Sequence, residues 1–241
     1  MSSPYALSFI TLFPDLFPGP LAHSITGRAL KAGLWQPQVV DIRAFAKPDN
    51  HKTVDDTPYG GGAGMVLRAD VVVPCVRAAR AANPGAKVAY LSAAGRPFTT
   101  AMAKTYAQAD GLILLCGHYE GIDQRAIELA VDDEVCVADA VYTGGEIPAL
   151  LVADAVLRQI PGVLGKAESL ADESFEHGLL EAPHYTRPEV YEGLAVPPVL
   201  KSGNHAEIAR WRQAQAMART AARRQDLAQA HKTLAPTPKI R

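Results

Sequence analysis

The sequence predicts an α/β fold, with a mostly parallel sheet and a small helical C-terminal domain. Three observations predict it. Short apolar runs of strand length alternate with stretches of helical periodicity, the pattern of a parallel sheet with crossover helices. The texture changes after Gly165, where a polar, Pro- and Gly-rich stretch runs to residue 200. Charge also separates along the chain. Residues 201–241 hold nine basic and two acidic residues, a formal +7; residues 1–200 hold fifteen and twenty-three, a formal −8, under a total of only −1. Such a split accompanies contact with nucleic acid or an anionic membrane.

The elements follow in order. Tyr5 to Phe13 reads as a strand closed by Pro14, Pro18, Gly19 and Pro20. Leu21 to Leu34 reads as a helix, and Val39 to Phe45 alternates as a second strand. Residues 47–65 form a long glycine-rich loop, a length usually kept for function or disorder. Ala69 to Ala82 is helical and stopped by Asn83-Pro84-Gly85. Strands are expected at Lys87 to Leu91, Gly111 to Cys116 and Glu134 to Val137, with helices at Thr99 to Ala109 and Asp123 to Ala130 between them. Ile147 to Ile160 is a further helix, ended by Pro161-Gly162. From Asn204 the chain is helical again: Asn204 and Glu207 resemble a capping box, and Ile208, Trp211, Gln215 and Ala218 share one face while Arg210, Arg212 and Arg219 point elsewhere. The expected organisation is an α/β domain over 1–165, a flexible linker over 166–182 and a helical domain over 183–241.

Composition removes several function classes. With 241 residues, 48% of them hydrophobic, the chain buries a core without a disulfide or metal staple. It has no apolar run of membrane-spanning length. The N-terminus lacks a basic start and its apolar run is broken by prolines, so no secretory signal and a cytoplasmic location are expected. Cys75, Cys116 and Cys136 lie in apolar runs without zinc spacing, and are expected to be small buried hydrophobes; a protein-held metal is not expected. The run Gly60-Gly61-Gly62-Ala63-Gly64-Met65 lacks both the Gly-Lys-Ser/Thr ending of a phosphate loop and the third glycine of a dinucleotide loop.

Three constellations remain. Loops follow three of the strands: Ser92-Ala93-Ala94-Gly95, then Gly117-His118-Tyr119-Glu120-Gly121, then residues 138–146 with Gly144 and Gly145. Parallel sheets bind ligands outside the carboxyl ends of their strands, and glycines let a backbone approach a flat adenine and a ribose; tight turns alone would also use them. Asp172 and Glu173 are adjacent carboxylates in the polar stretch: solvated surface, or a general base on a loop that orders with substrate. Arg158 lies late on its helix, where a cation also suits the negative helix end.

Five strings occur in a fixed order: Thr53-Val54-Asp55-Asp56-Thr57-Pro58-Tyr59-Gly60-Gly61-Gly62, Tyr119-Glu120-Gly121-Ile122-Asp123, Pro161-Gly162-Val163-Leu164-Gly165, His184-Tyr185-Thr186-Arg187-Pro188-Glu189-Val190 and Ser202-Gly203-Asn204-His205-Ala206-Glu207-Ile208. Together they closely resemble the bacterial tRNA (guanine-N1)-methyltransferase family of the SPOUT superfamily, from about Phe9 to Arg224. The resemblance implies a SPOUT-type parallel sheet with a deep trefoil knot toward the C-terminal side of the α/β domain. It implies a homodimer with each active site at the subunit interface, and transfer of a methyl group from S-adenosylmethionine to N1 of the guanine 3′ of the anticodon, position 37, in tRNA. A magnesium requirement stays open.

The resemblance also implies roles by position. Cofactor contacts fall on Tyr90, Leu91 and Ser92, on Gly117, Tyr119 and Glu120, on Val137, Ala138, Asp139, Ala140, Val141 and Tyr142, and on Gly144, Gly145 and Pro148. Arg158 matches the catalytic arginine. The usual base, an aspartate directly before Ser-Phe, is here Glu173, with Asp172 one residue earlier; Glu173 is favoured and Asp172 is the alternative. His184, Arg187, Ser202, Asn204 and His205 lie in family strings and would shape the target-base site. Arg210 and Arg212, with Arg219, Arg223 and Arg224, would meet RNA phosphates. The rival readings are a knotted methyltransferase for another RNA or a ribose hydroxyl, and a non-catalytic RNA-binding module.

Overall fold

The computed structural model describes residues 3–47, 53–165 and 173–234. The chain divides into two compact units, Met1–Gly165 and Lys166–Arg241. Among the described residues, no helix is long and apolar enough to cross a membrane.

The first unit is built on five parallel strands: β1 (Tyr5–Thr11), β2 (Trp35–Asp41), β5 (Ala86–Pro97), β6 (Gly111–Cys116) and β7 (Asp133–Cys136). A separate antiparallel pair, β3 (Asp55–Asp56) and β4 (Val66–Leu67), lies in the glycine-rich loop. The main sheet runs β2-β1-β6-β5-β7, so β6 enters between two strands made before it. Every residue of β6 is buried, as its unbroken apolar run Gly-Leu-Ile-Leu-Leu-Cys requires of a central parallel strand. Side chains alternate across the sheet. Leu112 and Leu114 join Phe9, Ala89 and Leu91 on the face covered by α1 (Ser24–Lys31), α3 (Thr100–Ala107) and α5 (Glu146–Leu157). Ile113 and Leu115 join Ile10 and Val88 under α2 (Ala69–Ala82) and α4 (Gln124–Ala130).

Three elements differ from expectation. The second strand begins at Trp35 rather than Val39, and residues 42–45 are a 3-10 turn. Pro37 hid the start of this strand, but β2 lies at the edge of the sheet, where a missing N–H is tolerated. Asp41 then ends it by accepting the Arg43 N–H at 2.8 Å. The helix expected over 21–34 is shorter, because residues 19–22 form a 3-10 turn first. The strand expected to stop at Leu91 continues to Pro97. Leu91 and Arg96 both face Val135, and residues 92–95 bulge out between them. The Arg96 guanidinium, 2.5 Å from Asp133, and the Phe98 N–H, 2.7 Å from the Cys136 carbonyl, hold the far half against β7.

The second unit contains a short hairpin (Val190–Tyr191 with Leu194–Ala195), a 3-10 turn (Pro198–Lys201) and helices His205–Arg223 and Gln225–Leu234. The Asn204 side chain accepts the Glu207 N–H at 3.3 Å and starts the longer helix. Its buried side is centred on Ala216 and Thr220, with Ile208, Trp211 and Gln215 half-buried beside them. Ala218, expected on that face, is exposed. Arg219 does not point away: its guanidinium donates to the Glu181 carbonyl at 3.2 Å. Both shifts arise because the turn over residues 173–182 seats on this side of the helix. The remainder of the expected linker, residues 166–172, lies outside the described residues.

Candidate active site

The carboxyl ends of β6 and β7 lie on either side of β5 where its residues 92–95 bulge, so the segments after β6 and β7 converge with that bulge. They enclose a cavity of about 360 Å³. That volume suits a small organic ligand. Tyr90, Leu91 and Ser92 form one wall; Gly117, Tyr119 and Glu120 form a second; Val137, Ala138, Ala140, Val141, Tyr142, Gly144, Gly145 and Pro148 form the third. The sequence-based set is thereby brought together except Asp139, an exposed residue outside the lining. Ala93, Ala94, His118, Gly121 and Thr143, members of the three loops but not of the expected contacts, also line the cavity, with Val135 and Cys136 from β7. All seven lie in or beside the same three segments, so contiguity was the available signal.

Backbone packing decides the shape of this site. The Gly145 N–H donates to the Gly117 carbonyl at 2.8 Å, and His118 pairs with Gly144 in an isolated antiparallel bridge. A Cβ on Gly145 would stand 2.7 Å from Cys116 Cα and 2.8 Å from the Gly117 nitrogen. Only glycine permits so close an approach of two main chains. A Cβ on Gly95 would meet the Val135 nitrogen at 2.4 Å, which explains a glycine at the end of the bulge.

Polar groups around the cavity are few and placed. Burial pushes the Tyr90 phenol up, the Glu134 charge adds to this, and hydrogen bonds to the Ile122 backbone and the Ser92 side chain oppose it. Behind the floor, Glu146 is 4% exposed and accepts from the Thr11 hydroxyl at 2.8 Å. His118 Nδ1 stands 4.0 Å from the same carboxylate and is a buried nitrogen without a hydrogen-bond partner. Cys136 is only half-buried, contrary to the expectation of a buried hydrophobe, and its thiol donates to the Ala138 carbonyl at 3.1 Å. The lining fits an adenosyl ligand: Leu91, Val135, Val137 and Pro148 offer apolar contact, the glycines expose main-chain groups, and one buried nitrogen is still unpaired.

Arg158 is not brought to this cavity. It caps the far end of α5, roughly 15 Å along the helix axis from Pro148 at 1.5 Å per residue. It shares the outward side of α5 with Ile147, Leu151 and Asp154, spaced four, three and four apart. Ile147 and Leu151 are 54% and 52% exposed.

In the second unit Glu173 opens the turn that seats on the long helix, while Asp172 lies outside the described residues. His184 is exposed and its Nε2 is 2.7 Å from Glu181. Ser202 and Asn204 use their side chains locally: Ser202 donates to the Val199 carbonyl and accepts from Asn204, which caps the helix. Arg187, His205, Arg210 and Arg212 are exposed. Among the described residues no cluster of three His, Cys, Asp or Glu side chains is placed to hold a metal ion.

Comparison with known proteins adds a family. A family profile described as tRNA (Guanine-1)-methyltransferase TrmD matches residues 5–230. A tRNA (guanine-N(1)-)-methyltransferase from Roseobacter denitrificans is 53% identical over 94% of this chain and 94% of its own length. One of the same name from Sphingopyxis alaskensis is 51% identical over 92% and 90%, and one from Rhodospirillum rubrum is 52% identical over 90% of both.

Proposed function

The chain belongs to the tRNA (guanine-1)-methyltransferase family, and on that premise we propose that it methylates N1 of the guanine immediately 3′ of the anticodon, position 37, in tRNA. The observation that carries this reading is the glycine-shaped cavity at the ends of β6 and β7 and the bulge of β5, which gathers the segments expected to hold S-adenosylmethionine. When bound there, that cofactor supplies a methyl group already activated by its sulfonium charge. The chain's own work is to orient the reactants and move a proton.

Guanine N1 carries a proton at neutral pH and is a poor nucleophile until the proton leaves. Glu173 is the group assigned to accept it, with Asp172 as the alternative. Arg158 is assigned to O6, where negative charge develops as the proton departs. Its distance from the cavity of its own chain supports supply from a second copy. The exposed Ile147 and Leu151 on the same side of α5 offer the apolar contact such a homodimer needs. The deep trefoil knot is part of this reading. It is supported by the late entry of β6, the double facing of Val135 and the return of Gly145 onto Gly117. The exposed His184, Arg187, His205, Arg210 and Arg212 are assigned to the RNA, while Ser202 and Asn204 shape the backbone that presents them.

The test is transfer of a labelled methyl group to a tRNA transcript with guanine 3′ of its anticodon, against a transcript with adenine there. Transfer to the first alone is expected; transfer to neither, or to both, overturns the reading. Glu173→Gln is expected to slow turnover far more than Asp172→Asn, and the reverse order moves the base to Asp172. Transfer that needs added Mg2+ puts a magnesium ion in the step, and equal transfer in chelator leaves it out.

A further inference from the structure

We infer that Thr220 and Ser174 are positioning residues for the Glu173 carboxylate, so that the proposed base is carried by the long C-terminal helix. The inference rests on the reading of Glu173 as base. Thr220 is fully buried, and its hydroxyl is committed at both ends: it donates to the Ala216 carbonyl at 2.7 Å and accepts the Leu180 N–H at 2.8 Å. Leu180 belongs to a closed turn that starts at Glu173. The Phe175 N–H reaches the Leu179 carbonyl at 2.8 Å, the Glu176 N–H reaches the Glu173 carbonyl at 3.3 Å, and the Ser174 hydroxyl accepts the Glu181 N–H at 3.0 Å. Phe175 takes a left-handed backbone with φ of 77°, unusual for an aromatic residue, and the Arg224 guanidinium lies 5.8 Å from its ring centre.

These bonds hold the turn to itself and to the helix. The turn cannot shift along the helix without parting the Leu180 N–H from the buried Thr220 hydroxyl that accepts it. The first residue of the turn is Glu173. The same helix presents Arg210 and Arg212 on its exposed side, so RNA held there would set the place of the carboxylate through Thr220.

The test uses the full-length enzyme and single-turnover methyl transfer at saturating enzyme. Thr220→Val keeps the shape and removes the hydroxyl. It is expected to slow transfer about ten- to a hundredfold, the penalty of a small misplacement of a reacting group, with affinities for tRNA and S-adenosylhomocysteine within about twofold of the parent. Thr220→Ser is expected to restore the rate, and Ser174→Ala to slow transfer in the same direction. A parental rate in Thr220→Val, a slowing matched by lost tRNA affinity, or no rescue by serine overturns the inference. If Thr220→Val does not fold, Ser174→Ala decides, and a parental rate there overturns it. Loss of transfer in Glu173→Gln beside a parental rate in Thr220→Val sinks this inference alone. Retained transfer in Glu173→Gln sinks the base assignment itself.

Discussion

The hydroxyl of Thr11, at the end of β1, donates to the buried carboxylate of Glu146, the first residue of α5, at 2.8 Å. The same hydroxyl accepts the Phe13 N–H at 2.9 Å. One small side chain thus ties the first strand to the helix behind the cavity, where the other carboxylate oxygen lies against Gly144. Thr11→Val keeps the volume and leaves a buried carboxylate and a backbone N–H short of partners. Stability is expected to fall by about 1–3 kcal/mol, read from urea unfolding, with weaker S-adenosylhomocysteine binding by calorimetry. Thr11→Ser is expected to restore both.

Gly145→Ala would force a methyl group into the main chain at Cys116 and Gly117. Neither neighbour is a flexible side chain that could turn aside. Affinity for S-adenosylhomocysteine is expected to drop by about tenfold or more, in line with 1–3 kcal/mol for overpacking. Gly165→Ala is the control, since no atom of the described residues lies within 4 Å of its added Cβ. Calorimetric titration of both variants distinguishes a shaped cradle from a general intolerance of the chain.

The cysteines separate by environment. Burial pushes the Cys75 thiol up to about 12, with the Asp41 charge adding, and holds Cys116 well above its usual value, with Glu146 adding. Thiolate is the reactive form, so both resist alkylation. Iodoacetamide on the native protein at pH 8 is expected to label Cys136 alone, and S-adenosylhomocysteine to protect it; peptide mass mapping reads the result.

The same burial sets a pH dependence. The folded thiol of Cys75 titrates above its unfolded value of 9.0, so its contribution is complete below that pH and is lost as pH climbs toward 12. Tyr5 and Tyr106, both raised chiefly by burial, act in the same direction from 10.0 upward. Urea midpoints are expected to be lower at about pH 10.5 than at about pH 8.

Basic residues on the long helix are not equivalent. Arg210→Gln and Arg212→Gln are each expected to weaken tRNA binding and to flatten its salt dependence, by roughly 0.7 to 0.9 in logarithmic slope per lost phosphate contact. Arg219→Gln is expected to change the slope less, because its guanidinium is turned onto the Glu181 backbone carbonyl. Filter binding across a salt series measures all three.

Much of this organisation was legible because it rests on local periodicity. The apolar run of β6, the alternation across the sheet, and α2 with its stop at Asn83 can be read from neighbouring residues alone. The cavity was legible as three glycine-bearing loops, since parallel strands leave ligands few other places. What escaped reading depends on distant partners. Pro37 resembles a strand breaker until its strand is known to be an edge. Residues 92–95 resemble a terminal loop until Val135 is seen to face both Leu91 and Arg96. Arg219 and Thr220 resemble solvated helix until a turn some forty residues earlier settles on them.

The insertion of β6 between β1 and β5 has a consequence for synthesis. A growing chain makes both flanking strands before it makes the one that pairs with each of them. Until Cys116 has been added, β1 and β5 each present an open edge of unpaired amides and carbonyls, the kind of edge that recruits other strands. The open edge of β1 lasts until β6 is made, and β5 keeps a second open edge until β7 (Asp133–Cys136) follows. Slow codons before β7 is complete would lengthen that exposure, since β5 also waits for that strand.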